Sequence, residues 1–342
     1  MNTPPAPPTA KSVVRVGFHS PTLGLRGTDV AMYDYAHFNE TLLGNTSIIL
    51  APAAIEATAP ARARFEDRFP VYFYRDQAEL EALIKRARVD VLHILKSGEK
   101  DGVEVQSCRT AIHAVFDVHE PHGDVYAYVS HWLSRTMADG THPYVPHMIQ
   151  LPAVEHSARA ELGIPAHAKV FGSIGGETSF DVRCAVNAVL LAANFMPQEV
   201  VFLFINTRLA IKTPVQRALL NRALRRGRIR YLPGTYDPVE KTTLINACDA
   251  MLHARKIGET FGIAIGEFAV RNKPILTFMS PRTPHRCHYD LLGEDGNYYT
   301  SVTSLLRLLY MAPARLKRSS IYKTEFTPEK VMQQFQSVFL DG

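Results

Sequence analysis

Short apolar runs separated by longer amphipathic stretches recur along almost the whole chain. Runs at 13–18, 47–51, 71–74, 89–95, 110–116 and 125–130 have strand length and are rich in Val, Ile, Leu and aromatic residues. Between them, 28–43 and 77–86 carry apolar residues at helical spacing. Thr28 is placed to cap the first of these helices and Gly44 to end it. This alternation predicts a parallel sheet covered by helices on both faces.

The periodicity weakens over 143–165, where Pro143, Pro146, Pro152 and Pro165 interrupt it, and this segment reads as a connection between domains. A second series follows, with strands at 170–174, 200–205, 229–232, 250–253 and 275–278. Helices at 183–194, 214–225, 238–247 and 261–270 alternate with them. Asp237 caps the third of these helices and Pro238 opens it. A final helix covers 328–339. The chain therefore divides into a Pro-rich tail over 1–11, read as disordered, and α/β domains over 12–150 and 151–325. A C-terminal segment, 326–342, completes it. The predicted architecture is two doubly wound, Rossmann-like domains facing each other across a cleft.

Composition narrows the class without changing the fold. Hydrophobic residues make up 46% and charged residues 21% of the 342, as in globular proteins, and no apolar run approaches a membrane span of about 20 residues. The N-terminus has prolines where a signal peptide needs an apolar stretch, so a cytoplasmic protein is expected. The four cysteines are scattered and read as reduced thiols. The net charge of +5 is partly concentrated at Arg222, Arg225, Arg226, Arg228 and Arg230. A solvated helix end is the first reading of this cluster; peripheral contact with an anionic membrane, at the inner surface, is the second. Nucleic acid is not expected as a partner.

Ligands of open parallel sheets sit beyond the carboxyl ends of the strands. After the first strand come Gly24, Arg26, Gly27 and Thr28, which would bring backbone and one cation to a helix start. Neither G-x-G-x-x-G nor a P-loop is present. After 110–113, His113, His119 and His122 accompany Asp117, Glu120 and Asp124. Their spacing matches no common zinc pattern, so no metal is predicted, and a strand-end histidine bonding a sugar hydroxyl is preferred. In the second half, Gly175 and Gly176, then Asn206, then Gly234 and Tyr236, end successive strands.

The richest segment is Gly258-Glu-Thr-Phe-Gly-Ile-Ala-Ile-Gly-Glu267, directly preceded by Arg255 and Lys256. A helix start offers unpaired N–H groups to phosphate, and carboxylates beside it can accept hydrogen bonds from sugar hydroxyls. A nucleotide-sugar satisfies both. On a regular helix Glu259 and Glu267 would be separated by about 12 Å of rise, so they are not an acid–base pair.

With Arg271-Asn-Lys-Pro274 following it, Glu259-Thr-Phe-Gly-Ile-Ala-Ile-Gly-Glu267 resembles the E-x7-E motif of retaining glycosyltransferases with the GT-B fold, the GT4 family in particular. The resemblance implies a hexosyltransferase-type enzyme that moves a sugar from a nucleotide-diphosphate-sugar to a hydroxyl of a glycan or lipid-linked acceptor. The donor is then a co-substrate, with no cofactor and no metal. Glu259 would contact donor-sugar hydroxyls. The amides of Phe261 and Gly262, flanked by Thr260 and Ile263, would lie by the diphosphate, and Glu267 would hold the ribose. His113 would be the catalytic histidine in the cleft, with His119 as second choice. Gly27, Gly175, Gly176, Asn206 and Tyr236 would line the donor site; Arg26, His119 and His122 would face the acceptor. The last helix would cross back to the first domain.

One departure from the family matters. The loop Gly175-Gly-Glu-Thr-Ser-Phe-Asp181 lacks the Arg and Lys that the family commonly supplies to the diphosphate. Arg255 or Lys256 would substitute, with Arg26 helping across the cleft. The competing readings are a catalytically silent nucleotide-sugar-binding module, a GT-B-like epimerase or phosphorylase, and an anion-binding α/β protein.

Overall fold

A computed structural model describes residues 13–19, 21–24, 26–54 and 59–341; the tail at 1–11 lies outside the described residues. The first domain contains β1 (Arg15–His19), β2 (Thr46–Pro52), β3 (Val71–Tyr74), β4 (Val91–Lys96), β5 (Arg109–Ala114) and β6 (Val125–Tyr128). The second contains β7 (Lys169–Ile174), β8 (Val200–Ile205), β9 (Ile229–Leu232), β10 (Ala250–His253), the two-residue β11 (Gly258–Glu259), β12 (Ile275–Phe278), the two-residue β13 (His285–Arg286) and β14 (Asn297–Tyr299).

Six of the strands form a sheet in the order β3-β2-β1-β4-β5-β6, and six form a second in the order β14-β12-β10-β7-β8-β9. Every pairing is parallel. Counted from its own first strand, the second sheet repeats the strand order of the first. Both are Rossmann-like, as the alternating pattern predicts. The interior strands β4 and β8 are buried along their whole length, which is why β8 reads as an unbroken apolar run and β4 as one broken only by His93 and Lys96.

Two glycines set the position of the helix Ile263–Val270. A Cβ on Gly172 in β7 would lie 2.5 Å from Cys248 Sγ and 3.0 Å from the Phe268 ring, so only glycine lets that helix close on the sheet. On the helix's other side, a Cβ on Gly266 would meet Ile149 and Tyr322 at 2.7 Å. The helix is thus clamped between its own sheet and the chain that crosses between domains.

Several boundaries differ from the sequence reading. The first helix is Gly27–Thr41 with Arg26, not Thr28, at the N-cap, and no side chain caps it. The nearby Asp29 carboxylate instead accepts bonds from the Gly24 amide at 2.9 Å and the Thr22 hydroxyl at 3.0 Å. The helix expected at 261–270 begins at Ile263, because Gly262 adopts a φ of 93° and turns the chain into it. Helices Ala59–Glu66, His131–Ala138, Cys287–Leu292 and Val302–Tyr310 went unpredicted, as did β14. The final helix, Pro328–Phe335, continues as a π-helical turn, Gln336–Leu340. Its Phe335 and Phe339 pack on the first domain: Phe335 against Phe18 and Tyr35, and Phe339 against His93 and His113, with ring centroids 5.0–6.1 Å apart.

Candidate functional site

The carboxyl ends of the two sheets face each other over a cleft of about 1080 Å³. Its second-domain wall includes Gly175, Gly176, Asn206, Tyr236, Arg255, Glu259, Thr260, Phe261, Gly262, Ile263 and Glu267; Arg26 and Gly27 lie on the first-domain wall. Gly27 approaches Ile263 so closely that a Cβ there would sit 3.3 Å from Ile263 Cδ1. Two helix N-termini, at Gly27 and Ile263, therefore meet at one point of the cleft. Neither has a side-chain cap, and the positive dipole ends of both helices point to that part of the cleft.

Glu259 is fixed by two cleft residues. Arg255 Nη1 lies 2.9 Å from its Oε2, and His253 Nε2 lies 3.1 Å from Oε1. Burial alone would push this carboxyl up; the hydrogen bond from His253 and the Arg255 charge outweigh it and bring the pKa down to about 2. An ionised carboxylate only accepts, so His253 Nε2 carries a proton, while its Nδ1 lies 2.9 Å from the Thr277 hydroxyl. Glu267 is buried and held by Lys241 Nζ at 2.7 Å. Each carboxylate keeps a cation beside it.

The first-domain wall corrects the histidine assignment. His113 does not reach the cleft: it is fully buried, its Nε2 donates to the Val145 carbonyl at 2.8 Å, and its Nδ1 meets His93 Nε2 at 3.3 Å. Burial drives its pKa down to about 3. His119 is bonded to the Tyr128 hydroxyl and His122 to the Glu120 carbonyl, and neither lines the cleft. Among the described residues, the first-domain histidine that lines the cleft is His147. Its ring packs edge-on to Phe261 at 5.5 Å. Tyr35 donates its only hydroxyl proton to the Pro146 carbonyl at 2.8 Å, so the 3.3 Å contact between that hydroxyl and His147 Nδ1 requires Nδ1 to donate. Burial keeps the ring neutral by holding its pKa well below the ordinary value. The lone pair is then on Nε2.

Lys256 is also corrected. Its side chain is exposed and outside the cleft, and its backbone N–H donates to the Asp181 carboxylate at 2.7 Å. The cleft cations are instead Arg26, Arg64, Lys96, Lys241 and Arg255. Of those the sequence reading missed, Lys96 had a visible signal, since it is a lysine ending a fully buried, mostly apolar strand. Asp34 had another: it lies two helical turns after Gly27 on the same face. His147 sits between prolines in non-periodic chain and offered none. Among the described residues, no group of three or more His, Cys, Asp or Glu is placed to hold a metal ion, and no helix is long and apolar enough to cross a membrane.

No known family profile matches the chain, and no curated protein matches it in sequence. Solved structures do match in fold. A glycosyltransferase from Rickettsia africae superposes with a TM-score of 0.68 at 10% identity, covering 96% of this chain and 98% of that one. Anabaena HepE in complex with UDP and glucose gives 0.65 at 13%, covering 95% and 98%. WaaG, a glycosyltransferase involved in lipopolysaccharide biosynthesis, gives 0.59 at 12%, covering 95% and 96%. The fold is GT-B, with both domains and the cleft between them inside the match.

Proposed function

We propose that the chain is a retaining, GT4-like glycosyltransferase that uses a nucleotide-diphosphate-sugar and a hydroxyl acceptor, without a metal. The observation that carries this reading is Glu259: an ionised carboxylate in the cleft, braced by Arg255 and His253, three residues before a glycine-started helix. Solved structures of the same fold that hold UDP, UDP with glucose, or UDP-glucose support the donor class.

In this reading Glu259 accepts hydrogen bonds from donor-sugar hydroxyls. The amides of Phe261, Gly262 and Ile263 meet the diphosphate, and the free oxygen of Glu267 takes the ribose. Gly175, Gly176, Asn206 and Tyr236 border the nucleotide. Arg255 donates from one edge of its guanidinium to Glu259 and offers its remaining donors to the leaving phosphate. Charge developing on the diphosphate is stabilised by preorganised donors and cations, which is where catalysis gains most. His147 replaces His113 as the histidine beside the reacting sugar, its Nε2 accepting from a hydroxyl. In this reading departure and attack occur on one face of the donor sugar. The acceptor is a glycan or lipid-linked hydroxyl, and the arginines at 222–230 provide peripheral contact with an anionic inner-membrane surface of a cytoplasmic protein.

Calorimetry with UDP-, GDP- and ADP-sugars tests the donor, and turnover in EDTA tests metal independence. Wild type should bind at least one donor, and Glu259→Ala should lose about 100-fold or more in turnover. Absence of all nucleotide-sugar binding, or undiminished turnover in Glu259→Ala, would sink the proposal. A second reading, a silent nucleotide-sugar-binding module, is favoured by the cation-free loop 175–181; binding without turnover over a broad acceptor panel would select it.

A further inference from the structure

Arg62, Arg64 and Arg68 lie on or just beyond the helix Ala59–Glu66 in the first domain. Arg62 pairs with Glu66 at 2.7 Å and Arg68 with Glu40 at 2.6 Å. Arg64 is the exception. It lines the cleft, makes no ion pair among the described residues, and its guanidinium lies 3.9 Å over the Tyr33 ring. Stacking restricts the side chain while leaving its in-plane N–H donors unspent, a geometry suited to a bidentate anion.

No carboxylate lies within ion-pair distance of it among the described residues. Asp34 is the one first-domain carboxylate lining the cleft among the described residues; it feels the pull of Arg64 without pairing with it, and burial pushes its pKa up to about 7. Arg26, on the same wall, likewise makes no ion pair among the described residues. On the opposite wall Glu259 and Glu267 are already occupied by Arg255 and Lys241. Positive charge without a partner is thus concentrated on the wall away from the donor residues. A neutral sugar hydroxyl would gain little from a fixed guanidinium; a phosphoryl or carboxylate group would gain two parallel charge-assisted bonds.

We infer that the acceptor carries an anionic group, phosphoryl or carboxylate, which Arg64 binds with help from Arg26. This rests on the transferase reading above for the word acceptor, but not for the anion site itself. Calorimetry at low ionic strength would compare glucose 6-phosphate, glucuronate and methyl glucoside. Phosphatidylglycerol and phosphatidylcholine vesicles distinguish a lipid-borne anion from a soluble one. An anionic probe should bind about tenfold or more tightly than methyl glucoside, and Arg64→Met should erase about tenfold while Arg62→Met does not. Arg64→Lys should recover part of the loss, and thermal unfolding should show all three variants folded. Equal binding of methyl glucoside, equal losses in Arg62→Met and Arg64→Met, or no binding of any anionic probe or vesicle overturns the inference. UDP-glucose affinity, measured separately, should be unchanged in Arg64→Met. If the arginine contrast holds but no nucleotide-sugar binds, the transferase reading falls and the anion site stands.

Discussion

At the carboxyl edge of the first sheet the polar side chains are mostly neutral and stacked: His93, His113 and His147 pass hydrogen bonds among themselves, Tyr35 and backbone carbonyls. At the same edge of the second sheet they are ionised and paired, Glu259 with Arg255 and Glu267 with Lys241. The strand order is the same in both. Topology therefore decides where a site can be, and the residues ending each strand decide what it can do. The histidine layer of the first sheet holds shape, and the carboxylates at the edge of the second hold charge.

The sharpest way to break this comparison is to remove a charge from the second edge. Lys241→Met leaves Glu267 buried without its cation and should cost about 3–5 kcal/mol in urea unfolding, much of it recovered by adding Glu267→Gln. A cost below about 1 kcal/mol would mean that the pair is not structural there. The next test separates two neighbouring histidines. His147→Gln should lower turnover about tenfold to a hundredfold with the melting temperature nearly unchanged. His113→Gln should do the reverse, costing about 1–3 kcal/mol through its buried bonds while folded molecules keep their activity. Equal behaviour of the two would erase the distinction between cleft and core.

The mildest test is pH. His19 is lowered to about 4, His113 to about 3, and His93 and His147 well below 6.5, all chiefly by burial. The unfolded chain then takes up protons first as pH falls through about 6.5, so stability falls with pH. Glu259, lowered to about 2 from 4.5, loses its contribution only between those values. In the second domain His288, lowered to about 3, repeats the histidine effect once. Hydrogen exchange should therefore show the first domain loosening earlier, by about 2 kcal/mol more than the second between pH 7 and 6. Simultaneous loosening of both domains would contradict it.

Much of this was legible in the sequence because strands buried on both faces announce themselves by composition. The segment 258–267 was legible because glycine is required wherever the backbone turns sharply, as at Gly262. The failures have physical causes. The sequence shows that His113 lies on a strand but not that its side chain is roofed over by Phe339, which is distant in sequence. His147 lies in chain whose shape comes from prolines and interdomain packing rather than from period. Pairing across elements, such as Lys241 with Glu267, leaves no local pattern.

Phe335 and Phe339 carry a consequence for how the protein is made. They close the core of the first domain, over Phe18, Tyr35, His93 and His113, yet they are translated after the entire second domain. Domains ordinarily fold in the order in which they leave the ribosome. Of the two domains, the one that emerges earlier is the one completed later, and its histidine layer stays uncovered until the second has been synthesised.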